Sequence, residues 1–375
     1  MRIEEFKYDT SLINDFIKFG YEIYKGDSNW IPPHQDEIKR QLLPSYWFYN
    51  KPGNLFRKFL LYDNGSVQGR IMAMINPSLK DKDGTAVGTI GFFECQNNYQ
   101  YARAILEIAT KWLYDNNIKR IWGPMNFDIW HSYRFMTRGF NHDLFFGEPY
   151  NKPYYPEYFE KFGFKIKAEW DSVEIHGKDI LAEMKIKGEK RYNLLMKRGY
   201  RFELIDLNNL DNELIKLQQI MSKSFGGFLG FTPLRVEELK QLFEKANYAI
   251  HPRMFTFVYN ADNILCGFAI ALLELADAVR SMNGRTNIPA RLRFMYHRHK
   301  VRKINFYLGG LTPEEIKNRS GLGRAGFYFI INEILKGGYN TMLLTLRLKS
   351  NLAHSLPGCL SPEPQKEYAL YQVEL

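Results

Sequence analysis

The sequence predicts an α/β protein made of two similar halves, each a mixed sheet with helices on its faces. Three observations carry this. A hairpin signal occurs twice. Each hairpin is followed by an apolar strand, an amphipathic helix and another strand, and each is preceded by apolar residues at helical spacing.

In chain order, Leu12, Phe16, Ile17, Gly20, Ile23 and Tyr24 give a first helix one apolar face. Asp63-Asn64-Gly65-Ser66 then separates the apolar runs 59–62 and 67–73, and Asn and Gly tolerate the positive φ of a tight turn. A strand over 89–94, a helix over 102–114 and a strand over 119–123 complete the half. In the second half, Leu214, Leu217, Ile220 and Met221, and then Val236, Leu239, Leu242 and Phe243, again form helical faces. The run 255–259 turns through Asn260 to Asn263 into 264–269, followed by strand 304–309, helix 325–335 and strand 341–346. The polar, charged stretch 177–189 marks the joint, giving expected domains 1–178 and 190–375. A repeat this long means tandem domains rather than a solenoid.

Composition narrows the function. With 45% hydrophobic and 15% aromatic residues, a 375-residue chain buries sizeable cores. A formal charge of +10 fits a solvated basic surface, an acidic ligand such as a CoA-type nucleotide, or an anionic membrane face. Nucleic acid would use the same charges, but no recognised motif for it is present and none is expected as a partner. Cys95, Cys266 and Cys359 are too few for a disulfide framework, and neither they nor the eight histidines show metal-ligand spacing. No metal and a reducing, cytoplasmic setting are expected. The first six residues lack the apolar core of a signal peptide, and the longest apolar run, 266–273, is too short to span a bilayer.

One loop stands out. Asn318-Arg319-Ser320-Gly321-Leu322-Gly323, continuing into Arg324, lies between the strand-like 304–309 and the helical 325–335. A glycine-rich turn at a helix N-terminus presents N–H groups and partial positive charge to an anion such as a nucleotide phosphate. Its counterpart in the first half, Glu94-Cys95-Gln96-Asn97-Asn98-Tyr99, has no glycine and begins with an acid, so it should repel phosphate.

These residues resemble the GNAT acyltransferase superfamily, whose pyrophosphate loop follows a Gln/Arg-x-x-Gly-x-Gly/Ala pattern, with Asn318 here at its first position. In the first half, the run from Tyr154-Tyr155-Pro156-Glu157 to Phe162-Gly163-Phe164 looks like that fold's last helix and Gly-Phe turn. More narrowly the chain resembles bacterial tandem GNAT-fold proteins, through Asn29-Trp30-Ile31-Pro32-Pro33, Gly91-Phe92-Phe93-Glu94, Gly123-Pro124-Met125-Asn126 and Pro149-Tyr150-Asn151-Lys152-Pro153. Some bacterial ceramide synthases, which acylate a sphingoid-base amine, look similar in outline.

The resemblance implies N-acyl transfer from acetyl-CoA or a longer acyl-CoA, or from an acyl carrier protein, to a small-molecule or lipid amine. The catalytic domain would be the second, and the first would have lost CoA binding. Two alternatives stay open: a long-chain lipid N-acyltransferase at the inner membrane face, and a non-catalytic interaction protein. Oxyanion donors are expected on Leu308-Gly309-Gly310-Leu311, where glycines permit close approach. The acid for the leaving thiolate would be His354, on a short helix begun by Asn351, or Tyr307, with Tyr368 and Tyr371 as strand aromatics. The candidate bases are Glu94 and Glu274, each ending a strand.

Two segments remain. From Phe127 to Phe164 the chain carries fourteen aromatics, among them Trp130, Tyr133, Phe146 and Tyr150, expected to form a core, an interdomain wall or an apolar slot. The insertion 276–303 interleaves Arg291, Arg293, His297, Arg298, His299, Lys300, Arg302 and Lys303 with Leu292, Phe294, Met295, Tyr296 and Val301. It reads as a basic amphipathic helix that could meet a membrane through 291–303, wrap a CoA 3′-phosphate, or stay solvated.

Overall fold

A single mixed sheet of thirteen strands runs through the chain, whose computed structural model describes residues 1–246, 248–350 and 363–375. The N-terminal half supplies β1 (Arg2–Phe6), α1 (Thr10–Glu22), α2 (Gln35–Leu42), β2 (Leu55–Asp63), β3 (Ser66–Lys80), β4 (Ala86–Cys95), α3 (Tyr99–Asp115), β5 (Arg120–Gly123), β6 (Phe135–Arg138), α4 (Tyr155–Phe162) and β7 (Lys165–His176). Helix α5 (Lys178–Lys197) makes the connection. The C-terminal half supplies β8 (Arg201–Leu204), α6 (Leu210–Phe225), α7 (Val236–Ala246), β9 (Ile250–Tyr259), β10 (Leu265–Leu273), α8 (Ala276–Met282), α9 (Ile288–His299), β11 (Lys303–Leu311), α10 (Pro313–Lys317), α11 (Leu322–Lys336), β12 (Thr341–Leu348) and β13 (Lys366–Glu374).

Local chemistry explains the elements. Asn64 and Gly65 take φ of 49° and 77°, closing the β2–β3 hairpin that their dipeptide predicts. Asn98 caps α3 by accepting from the Gln100 N–H, and Ala102, Ile105, Leu106, Ala109 and Leu113 bury its inner face. Gly163, in the left-handed region, ends α4. The two repeats superpose in role: the hairpins β2–β3 and β9–β10, the strands β4 and β11, the helices α3 and α11, and the strands β5 and β12.

The halves are not simply placed side by side. Strand order is β1-β2-β3-β4-β5-β13-β7-β12-β11-β10-β9-β8, with β6 also on β13. The last strand of the chain therefore lies between β5 and β7 of the first half, while β7 reaches across to β12. The stretch 177–189, expected to hold the joint, forms most of α5, which packs along α11. The insertion 276–303 is likewise two helices rather than one. Ala276, Ala278, Val279 and Met282 bury α8, whereas α9 touches the body mainly through Ala290, Phe294 and His297.

Candidate functional site

In each half the two central parallel strands run together briefly and then part. Residues 87–89 pair with 120–122 in the first half, and 303–306 with 341–344 in the second. Where they part, the pairing of β4 with β3 slips between Arg70 and Met72, and that of β11 with β10 slips between Ile270 and Ala271. A bulge there re-aims backbone groups into the gap.

The first gap is filled. Met125 N–H donates to Ile90 O at 2.8 Å, and the N–H of Phe92, which takes φ of 51°, donates to Asn126 Oδ1 at 2.7 Å. Gly91 has no alternative residue, since a Cβ there would stand 2.4 Å from Met125 O. The second gap differs. Among the described residues no side-chain hydrogen bond reaches the backbone of 307–311, and Gly309 is exposed.

At the far end of that gap lies the N-terminus of α11. Part of the expected phosphate loop is already engaged. Asn318, Arg319 and Ser320 donate their N–H groups to Glu314, Ile316 and Glu315 carbonyls of α10, and Leu322 N–H donates to Ser320 Oγ at 3.2 Å. The pattern is right, but a short helix before it takes the first three amides. Among the described residues the N–H groups of Gly321, Gly323 and Arg324 have no protein acceptor. Gly321 has φ of 77°, and a Cβ on it would lie 2.6 Å from Arg191 Nε. A guanidinium set against the positive end of a helix is unfavourable unless an anion lies with them. Arg191, on α5, carried no sequence signal as a phosphate partner.

A cavity of about 740 Å³ opens where the halves meet, lined by Glu94, His131, Arg134 and Tyr150 from the first half and by Tyr307 and Leu242 from the second. Two expected residues meet here. Tyr307 is half exposed, and its open surface faces the cavity. Burial around its phenol pushes the pKa up, with Arg134 acting in the opposite sense. Glu94 is tied into a network: Oε2 accepts from Tyr24 and Tyr155 hydroxyls, each at 2.8 Å, and Oε1 lies 3.5 Å from Arg70. Burial pushes its carboxyl up despite Arg70.

Glu274 lies apart from them, beside a second cavity of about 560 Å³. It stitches the halves together, since its Oε1 accepts from Phe146 N–H at 2.8 Å and Ala276 N–H at 2.9 Å, while Oε2 is buried without a partner among the described residues. Burial pushes its pKa from 4.5 to about 7. The protonated form therefore stabilises the fold fully below the unfolded value, and that contribution is lost as pH rises through about 7. At about 1.4 kcal/mol per pKa unit the loss is on the order of 3 kcal/mol. Glu274→Gln is expected to gain melting temperature relative to the natural chain between pH 4.5 and 8; a constant difference across that range would contradict the assignment.

His354 and Asn351 lie outside the described residues. Tyr368 and Tyr371 are buried in β13 as strand aromatics. Not anticipated were Arg134 and a chain of contacts in which Asp128 Oδ1 lies 2.7 Å from His131 Nδ1 and Tyr46 Oη 2.6 Å from His131 Nε2. Asp-x-x-His in a turn was the available signal for the latter. Among the described residues no group of three His, Cys, Asp or Glu could hold a metal, and no helix is long and apolar enough to cross a membrane.

No protein-family model matches the chain. It is 22% identical to Protein YghO of Escherichia coli (strain K12) over 372 residues, covering 96% of this chain and 92% of that protein. Among solved structures it resembles a tandem GNAT protein from the clavulanic acid biosynthesis pathway, at TM-score 0.52, 10% identity and coverage of 100% and 98% of the two chains. A probable N-acyltransferase from Enterococcus faecalis V583 matches at TM-score 0.53 and 10% identity over 100% of this chain and 73% of that one. The GCN5-related glucosamine N-acetyltransferase region of a fungal β-N-acetylglucosaminidase gives 0.56 and 13%, covering 99% of this chain and 38% of the larger one. The chain has the tandem GNAT fold.

Proposed function

We propose that this tandem GNAT fold transfers an acyl group from acyl-CoA, or from an acyl carrier protein, to an amine, and that the C-terminal half does so alone. One observation carries this. Among the described residues, the gap between β11 and β12 keeps its strand edge free and ends at unpaired helix amides, whereas the matching gap of the first half is closed by Met125 and Asn126. Gly321, Gly323 and Arg324 N–H groups with the Arg191 guanidinium would hold a pyrophosphate. The exposed edge at Leu308-Gly309-Gly310-Leu311 would polarise a thioester carbonyl. The acceptor would sit in the interdomain cavity beside Tyr307, whose phenol would supply a proton to a leaving thiolate. Glu94, hydrogen-bonded by two tyrosines and facing Arg70, organises the cavity wall rather than acting as a free base. Much of the rate would come from holding amine and thioester together. Calorimetry with acetyl-CoA and longer acyl-CoAs tests this: one site per chain is expected, and the absence of heat for every donor would leave only a non-catalytic role.

One feature favours a membrane-surface version of the same chemistry. Ile288, Leu292, Met295 and Tyr296 fall on one face of α9 and are all exposed, 60–73%, beside Arg291, His299 and Lys300. An apolar stripe flanked by cations suits an anionic bilayer. Arg291, Arg293 and Arg298 also donate to the Thr286, Ser281 and Tyr248 carbonyls, so Leu292→Glu with Met295→Glu is the cleaner variant. Salt-sensitive binding to phosphatidylglycerol vesicles is expected, lost in that variant. Equal binding by both proteins would remove the membrane reading.

A further inference from the structure

Among the cations that line the interdomain cavity, Arg134 has no counter-ion among the described residues. It is 7% exposed, and its Nε and Nη1 have no hydrogen-bond partner among the described residues. Its guanidinium carbon lies 3.7 Å from the Tyr133 ring centroid and 4.4 Å from that of Trp170. Those faces hold the group in place but leave its N–H donors unused. The nearby carboxylate is Glu148, and it is already taken: its Oε2 lies 2.8 Å from Lys366 Nζ, with both side chains 0% exposed. Glu148 is thus already paired with Lys366, and no ion pair to Arg134 forms among the described residues. The backbone adds a constraint, since Arg134 takes φ of 73° and its N–H donates to Pro124 O at 2.8 Å.

A guanidinium does not shed its proton, so a desolvated and unpaired one is a standing cost. That cost is relieved when something else supplies the anion. The rest of the wall says what kind. Glu94 and Glu244 also line the cavity, so a dianionic phosphate would be repelled more strongly than a single carboxylate. The remaining surface is aromatic, with Tyr24 stacked on Trp30 at 4.9 Å and Tyr24 set 5.9 Å from Tyr150. Tyr307 brings β11 to the same space.

We infer that Arg134 anchors the carboxylate of a small amino-carboxylate acceptor, whose apolar part lies against the aromatic wall and whose amine faces β11. The carboxylate site stands on the cavity alone; the word acceptor rests on the acyl-transfer reading above.

The test compares amino acids with the amines that lack only their carboxylate, beginning with L-phenylalanine against 2-phenylethylamine and L-tyrosine against tyramine. The full-length chain is measured by thermal shift and calorimetry. At least one amino acid is expected to stabilise the protein where its amine does not. Arg134→Met should weaken that binding about 10- to 100-fold. Its ligand-free melting temperature should stay level or rise, because it removes an unpaired buried charge. Arg134→Lys keeps the charge and guards against misfolding; it should lose most of the carboxylate preference, since an ammonium cannot fork. Three results would overturn the inference: amine and amino acid binding alike across the panel, full binding by Arg134→Met, or a large fall in its melting temperature, which would mean that Arg134 already has a partner within the protein. If a carboxylate binds through Arg134 but no acyl-CoA yields free thiol in its presence, the anchor holds and the acyl-transfer reading fails. If transfer proceeds to amines regardless of a carboxylate, transfer holds and the anchor fails.

Discussion

Gly323→Asp is expected to abolish acyl-CoA binding while leaving the fold intact or slightly firmer. A Cβ at Gly323 would meet only Leu311 Cδ1 at 3.9 Å, and the position has ordinary helical geometry, so the substitution is sterically free. An aspartate in the first turn gains about 0.3–1 kcal/mol from the helix dipole and a few tenths more from replacing glycine inside a helix. The same carboxylate stands among the amides meant for pyrophosphate. Losing charge-assisted contacts and gaining repulsion should weaken binding at least about 100-fold. Gly323→Asn has nearly the same shape without the charge and should keep most of the affinity. Gly321→Asp is the poorer experiment, because φ of 77° and the Arg191 side chain 2.6 Å from its Cβ would confound strain with charge. Calorimetry on the two Gly323 variants decides: equal affinities in the aspartate and natural proteins would remove the phosphate from this helix.

The second large effect concerns the exchanged strand. Residues 1–178 by themselves are expected not to fold cooperatively, even though they hold a complete repeat by sequence. Without β13, strand β5 loses its antiparallel partner over 120–123 and β7 loses the run 165–172. Tyr368, Leu370 and Tyr371, all at most 1% exposed, would be missing from the interior. At roughly 2–3 kcal/mol for each large side chain, about 6–9 kcal/mol would go, close to the whole stability of a typical domain. Adding a peptide of residues 363–375 should restore ordered near-ultraviolet circular dichroism. A sharp thermal transition in 1–178 without the peptide would show that the exchange is incidental.

What the sequence revealed was local. Asn64-Gly65 names its own turn, and α3 and α11 announce themselves by apolar spacing, because both signals sit within a dozen residues. Strand exchange leaves no such trace: Tyr368, Ala369, Leu370 and Tyr371 read as strand whichever neighbours they pair with. The missing glycines after Glu94 were visible, but the plug formed by Asn126 was not, since a side-chain amide bonding Phe92 N–H depends on two segments 34 residues apart. The loop at 318–323 was found by pattern, yet which of its amides are free depends on α10, whose carbonyls take three of them. Arg134 is one of 51 basic residues, and only its burial without a partner sets it apart.

Hydrogen exchange on the full-length chain, with and without saturating acetyl-CoA, most directly locates the donor. Slowed exchange is predicted at Gly321, Gly323 and Arg324 and along 308–311, with Phe92 and residues 94–99 unchanged. Protection confined to the first half, with the α11 N-terminus exchanging as before, would contradict the account.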